Sequence, residues 1–206
     1  KSKAQYCENS KAVFDLKDSG KLAQKIRGLS SYRNCRQVFV SPTPFLAQMR
    51  INALLDGKDL IMPGPALKQG FYLLKPFSVP FPKLSAAVSL QGVGQYGASI
   101  PDNEIALLEI GLLVTEALVV NQKGLWIGDG TGYFDLSVAI LNDYQGLAET
   151  YQVLAVIAEE SKLIADDLPS DVWDIPVHEV LWPGGYQELA EKQPYAPTVY
   201  WDHLTN

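Results

Sequence analysis

Apolar positions along the chain fall into short β-prone runs separated by stretches of helical spacing. In the segment 10–29, Val13, Phe14, Leu16, Leu22, Ala23, Ile26 and Leu29 are apolar, and from Leu22 onward Lys and Arg fill the opposite helical face. Gly20 argues against one long helix and for two shorter ones. Gln37-Val38-Phe39-Val40 reads as a buried strand that ends in the turn Ser41-Pro42-Thr43-Pro44. Phe45 to Leu55 reads as a helix with Leu46, Met49, Ala53 and Leu54 on one side, closed by Asp56-Gly57-Lys58. Leu60-Ile61-Met62 is a second strand, stopped by Pro63-Gly64-Pro65. Strand, helix and strand in such short succession form a βαβ unit and predict a parallel sheet.

Further along, Lys75 to Ser85 reads as a connecting loop and Ala86 to Gly97 as a short helix with a turn. Ile110 to Val120 predicts one strand or two near the sheet centre, followed by a turn at Gln122-Lys123-Gly124. A helix is expected from Tyr133 to Tyr144, then strands over Gln152 to Ala158 and Val177 to Leu181. The tail from Glu188 is polar and aromatic. With no internal repeat and no low-complexity linker, residues 1–206 are expected to form one α/β domain with a mostly parallel, doubly wound sheet.

Composition narrows the function classes. The 206 residues are 47% hydrophobic and 19% charged, which is globular and excludes disorder. Seventeen Lys and Arg against 23 Asp and Glu leave a net charge of −6, which argues against nucleic-acid partners. Cys7 and Cys35 read as free thiols, which places the chain in the reducing cytoplasm. Two Cys and two His argue against a structural zinc site. Glu109 and Glu116 interrupt the apolar run Ile105 to Val120, so no membrane span is expected. Lys1 in place of an initiator Met leaves a removed leader open. Oligomeric state is not legible.

The sharpest local feature is Gly128-Asp129-Gly130-Thr131-Gly132-Tyr133-Phe134-Asp135. Three alternating glycines free the backbone to turn its N–H groups into a shared concavity beside a helix N-terminus, an arrangement that suits an anion. The spacing alone supports a tight strand-to-helix turn equally well. It is neither the dinucleotide fingerprint nor a P-loop.

That loop, G-x-G-x-G-[YF]-x-D, resembles the signature of the 5-formyltetrahydrofolate cyclo-ligase family. Val38 to Pro42, Gly57-Lys58 before Leu60 to Pro63, Gly70 to Pro76, and Pro169 with Asp174 are similar to further family segments. Gln48-Met49-Arg50, Gly132 to Leu136 and the ending Val199 to Leu204 resemble the divergent branch of methenyltetrahydrofolate synthetase domain-containing proteins. The resemblance implies a three-layer α/β/α fold. It also implies an ATP- and Mg²⁺-dependent conversion of 5-formyltetrahydrofolate to 5,10-methenyltetrahydrofolate: the formyl oxygen is phosphorylated, N10 attacks, and phosphate leaves. It further implies a nucleotide held by Gly128, Gly130, Gly132, Tyr133 and Asp135, and a metal near Asp135 and Asp174. Arg50, Phe71 and Trp126 are the candidates for substrate contact, and Trp126, Tyr133 and Phe134 either stack on a pterin or adenine ring or pack in the core. No catalytic residue is assigned, and His178 and His203 read as structural or surface residues.

The chain departs from the family where charge matters. Trp126, Asp129 and Thr131 stand where active cyclo-ligases carry Arg or Lys, Lys75 stands for a Glu, Trp173 stands for a His, and the acid expected near Gln48 is missing. Losing two charge-assisted bonds costs about a hundredfold to ten-thousandfold in triphosphate binding. Arg50, Lys68 and Lys75 are the cations available to compensate. Two readings therefore stand: a folate cyclo-ligase using ATP, and a paralog that binds a folate, nucleotide or other small metabolite without that turnover.

Overall fold

The computed structural model describes residues 14–189 and 197–200, so Cys7, Val13 and the ending Trp201 to Leu204 lie outside the described residues. The Asp15 carboxylate caps helix α1 (Leu16–Lys25) by accepting the Lys17 N–H at 2.9 Å. The helix runs through Gly20, which sits on its exposed face. The break falls instead at the tight turn Ile26–Gly28, before helix α2 (Ser30–Asn34). Tertiary packing outweighs the glycine penalty here: Leu22 and Ala23 are wholly buried, and the Ala23 carbonyl accepts a bond from Asn52 at 2.9 Å.

Strand β1 (Gln37–Val40), helix α3 (Ala47–Leu55) and strand β2 (Asp59–Pro63) form the expected parallel βαβ unit, with Val38 opposite Leu60. Next come β3 (Phe71–Leu74), α4 (Leu84–Ala87), α5 (Val93–Tyr96), β4 (Ala98–Ile100), α6 (Asp102–Ile105) and β5 (Ile110–Glu116). Then follow β6 (Val119–Asn121), β7 (Trp126–Ile127), α7 (Tyr133–Asp143), β8 (Leu147–Val156), β9 (Leu163–Ile164), β10 (Glu179–Trp182) and β11 (Gly185–Glu188).

Eight strands make one sheet in the order β11-β10-β8-β5-β1-β2-β3-β4. The run from β10 to β2 is parallel, while β3, β4 and β11 add antiparallel edges. Alternate side chains of each central strand go to opposite faces. Val38, Val40, Leu60, Met62, Leu112 and Val114 meet Leu22 of α1 and Met49, Ala53 and Leu54 of α3. Phe39, Ile61, Leu113, Val153 and Ala155 meet Phe134, Val138 and Leu141 of α7. Both faces are covered, so the strands read as continuous apolar runs, and the layers are helix, sheet, helix. Among the described residues no helix is long and apolar enough to cross a membrane.

The stretch 110–120 is two strands. β5 stays central, and β6 joins a separate small sheet between antiparallel β7 and parallel β9. The chain crosses between sheets at Ala117, whose N–H bonds Val156, and Leu118, whose N–H bonds Ile127. This small sheet carries the glycine loop out over the carboxyl ends of the parallel strands.

Candidate functional site

The chain leaves β1 toward β2 on one side and enters β5 on the other, so the winding reverses between β1 and β5. In open α/β sheets ligands bind outside the carboxyl ends of the strands at such a switch point. A cleft of about 620 Å³ lies there. Its floor includes Phe39, Ser41 and Thr43 from the end of β1, Pro63 and Gly64 from the end of β2, and Thr115 and Glu116 from the end of β5. Its walls are the segment 128–137, the loop carrying Asp171, Trp173 and Asp174, and the strap 198–200. Asn142 and Asp143, at the end of α7, pin that strap through Pro197 O at 2.6 Å and Val199 N–H at 3.1 Å.

The glycines have local reasons. Gly132 is the N-cap of α7 and, like Gly130, has left-handed backbone, with φ of 68° and 82° respectively. A Cβ on Gly128 would come within 2.7 Å of the Trp126 ring. One N–H of the loop is already taken, however. The Asp129 carboxylate folds back on it, accepting the Thr131 N–H at 3.0 Å and the Thr131 hydroxyl at 2.7 Å.

One residue organises the adjoining wall. The Ile175 carbonyl accepts the Trp126 indole N–H at 2.7 Å, and the Ile175 N–H donates to Asp135 at 3.0 Å. The second bond ties Asp135 to the residue that follows Asp174, so these two half-buried acids end up on adjoining elements of one cleft. Asp174 in turn accepts the Asp171 N–H at 2.7 Å. Phe134 stands edge-on to Trp126, with ring centroids 5.6 Å apart, and lies 6.0 Å from Phe39. Tyr133 is exposed at the rim, and Trp173 meets Tyr200 across the mouth. Gly128, Gly130, Gly132, Tyr133, Asp135, Trp126 and Asp174 therefore share one cleft.

Arg50 and Phe71 lie elsewhere. Phe71 is buried against Phe39 at 6.4 Å, outside the cleft lining. Arg50 is 1% exposed, with its guanidinium turned onto backbone. It donates to the carbonyls of Val88 and Thr43, both at 2.8 Å, and to that of Ser41. Burial pushes it down to about 10, opposed by the charge of Glu116, so it stays cationic at neutral pH. It thus props the loop after β1 from beneath. Lys75 is at the opposite end of the sheet, paired with buried Asp59 at 3.0 Å. Lys68 is exposed just past the rim residue Leu67. Among the described residues that line the cleft, the charged ones are Glu116, Asp129, Asp135, Asp171 and Asp174, and none is Lys, Arg or His. Nor do the described residues hold a cluster of three or more His, Cys, Asp or Glu placed to bind a metal.

Glu116 is the residue that pattern reading passed over. It registered only as an interruption of an apolar run, although an acid at the carboxyl end of the central strand is itself a signal. Thr43 links it to Arg50: the Thr43 carbonyl accepts from Arg50 and its hydroxyl donates to Glu116 Oε1. Burial raises the Glu116 carboxyl above its ordinary range, and Asp129 adds to this, while the Thr43 bond and the Arg50 charge oppose it. The folded state therefore holds this proton more tightly than the unfolded chain. Its ionisation costs stability above the folded value and costs none below the unfolded one. Glu116→Gln is expected to stabilise the ligand-free protein at neutral pH, with the gain vanishing near about pH 4. Urea midpoints at both pH values check this, and a Gln variant less stable than wild type at neutral pH contradicts it.

Fold and site together define a doubly wound α/β protein with an acidic, aromatic-walled cleft at its switch point. Residues 2–183 match the model of the 5-formyltetrahydrofolate cyclo-ligase family. The chain belongs to that family. It is 26% identical over 194 residues to a methenyltetrahydrofolate synthase domain-containing protein of Homo sapiens, covering 92% of this chain and 49% of that protein. The namesake from Danio rerio is 24% identical over 197 residues, covering 93% and 50%. The chain thus spans about half the length of these curated relatives. The solution structure of 5,10-methenyltetrahydrofolate synthetase from Aquifex aeolicus superposes with a TM-score of 0.59 over 93% of this chain and 94% of that one. At 15% identity, that likeness is one of fold.

Proposed function

We propose that the cleft binds a small, flat heteroaromatic metabolite of the folate type and that this chain does not carry out the ATP-driven ring closure. The observation that carries the reading is Asp129, whose carboxylate takes the loop N–H of Thr131 that a phosphate would need. A triphosphate brought to this loop meets that anion, together with Glu116, Asp135, Asp171 and Asp174, and no cationic side chain among the described lining residues. Aligned cations and N–H donors are what phosphoryl transfer draws on.

The relatives' names carry the folate part of the reading. ATP and Mg²⁺ come with the family reaction, and the donor set fits them unevenly. Asp135 and Asp174 supply the one or two carboxylates that Mg²⁺ asks for, but each already accepts a backbone N–H of the wall loop. The residues present do not fit the triphosphate.

Exchanging the loop charges tests the reading. Asp129→Arg with Thr131→Lys is expected to tighten Mg-ATP binding by about a hundredfold to ten-thousandfold, measured by calorimetry. Wild-type protein that binds Mg-ATP as tightly as the double variant overturns it.

A further inference from the structure

Glu116 presents chemistry that neither the family resemblance nor the glycine loop accounts for. It sits on the cleft floor, half-buried, at the end of the central strand. Thr43 holds Oε1. Oε2 has no hydrogen-bond partner among the described residues, and every fully enclosed side-chain oxygen in the described structure has one, so Oε2 faces the open space of the cleft. The half-buried Trp126 ring lines the same cleft, backed by Phe134 and Phe39, which are almost wholly enclosed in the core. Aromatic walls take a ring by stacking, and a fixed carboxylate at the ring's edge selects for donors there.

From this geometry we infer that Glu116 is the specificity-determining residue of the cleft and pairs with the edge of a heterocycle that carries adjacent ring N–H and amino donors. The inference rests on the ring-binding reading of the cleft and names the ligand edge that reading leaves open. A 2-amino-4-oxo ring, as in a pterin, has that edge, with N3–H beside the 2-amino group. Adenine does not, because accepting ring nitrogens flank its amino group. A site built to pair with an N–H discriminates strongly against an analogue lacking it, since the protein group is then left without a partner. Thr43, itself held by Arg50, keeps the carboxylate in place, while Asp129 adds like charge that disfavours anionic rings.

The test compares pterin with lumazine, which carries a carbonyl in place of the 2-amino group. Binding to wild type and to Glu116→Gln is followed by ligand fluorescence and calorimetry. Wild type is expected to favour pterin by about tenfold to a hundredfold, the worth of a hydrogen bond to a charged group. The Gln amide can donate to the lumazine carbonyl, so the variant is expected to lose pterin affinity and gain lumazine affinity. A purely structural role would weaken both ligands together. Equal wild-type affinities, or a ratio unchanged in the variant, overturn the role of Glu116 while leaving ring binding intact. Wild type that binds neither ring overturns the ring-binding reading and this inference with it. If the Gln variant fails to fold, the wild type decides. Acidification that protonates Glu116 must weaken pterin and spare lumazine, and parallel loss of both, or of neither, overturns the inference.

Discussion

Arg50→Ala is expected to lower folding stability by about 3–5 kcal/mol. The guanidinium is enclosed, and its donors satisfy the carbonyls of Ser41, Thr43 and Val88 from three different N–H positions. Truncation leaves those acceptors without a donor in a space the size of a long side chain, and each buried orphan costs about 1–3 kcal/mol. It also removes the cation whose field opposes the raised Glu116 carboxyl, so that group rises further. Arg50→Lys keeps the charge but offers one ammonium in place of a planar fork, and is expected to lose less, about 1–3 kcal/mol. Urea denaturation of both variants checks this. An Ala variant within about 1 kcal/mol of wild type contradicts the assignment of Arg50 as the prop beneath the cleft.

Arg50 also shows where sequence reading reaches its limit. A cation on an apolar helix face points to a buried or pocket-facing guanidinium, with a surface ion pair as the usual alternative, and the structure buries it. Its actual partners are backbone carbonyls from the turn after β1 and the start of the turn after α4, which no residue pattern identifies. Phe71 shows the same limit. Its segment Gly70 to Pro76 matched a family motif, but β3 pairs antiparallel with β2 and turns the ring into the core against Phe39.

What was legible is the part governed by local periodicity. The βαβ unit of β1, α3 and β2 and the helix α7 carry strong apolar spacing and clear stop signals. The edges were not legible. β4, β7 and β9 are two or three residues long, too short for a period to register, and they exist because a neighbouring strand offers hydrogen bonds. The split of 110–120 depends on where the central sheet ends, a tertiary fact. At the site, alternating glycines marked the loop, and Asp129 and Thr131 marked its departure from the charge pattern of the family. That Asp129 folds back onto the loop is a matter of geometry that composition does not carry.

The largest functional effect expected concerns turnover. A triphosphate needs cations and N–H donors at its γ-phosphate to stabilise transferred charge. Here the Thr131 N–H of the loop is held by the Asp129 carboxylate, and the described lining residues with charge are all acids. Removing even two charge-assisted contacts costs about two to four decades in binding or rate. The aromatic wall of Trp126 and Phe134 is untouched by that argument, so ring binding and ATP chemistry should separate cleanly in this protein. The most direct measurement is to mix the protein with 5-formyltetrahydrofolate and Mg-ATP, follow the heat of each binding step, and record methenyl product by absorbance in the same samples. The account predicts heat from the folate, none from Mg-ATP, and no methenyl product above the uncatalysed background. Mg-ATP binding with product formed at an ordinary enzymatic rate, on the order of 1 s⁻¹ or faster, would contradict it.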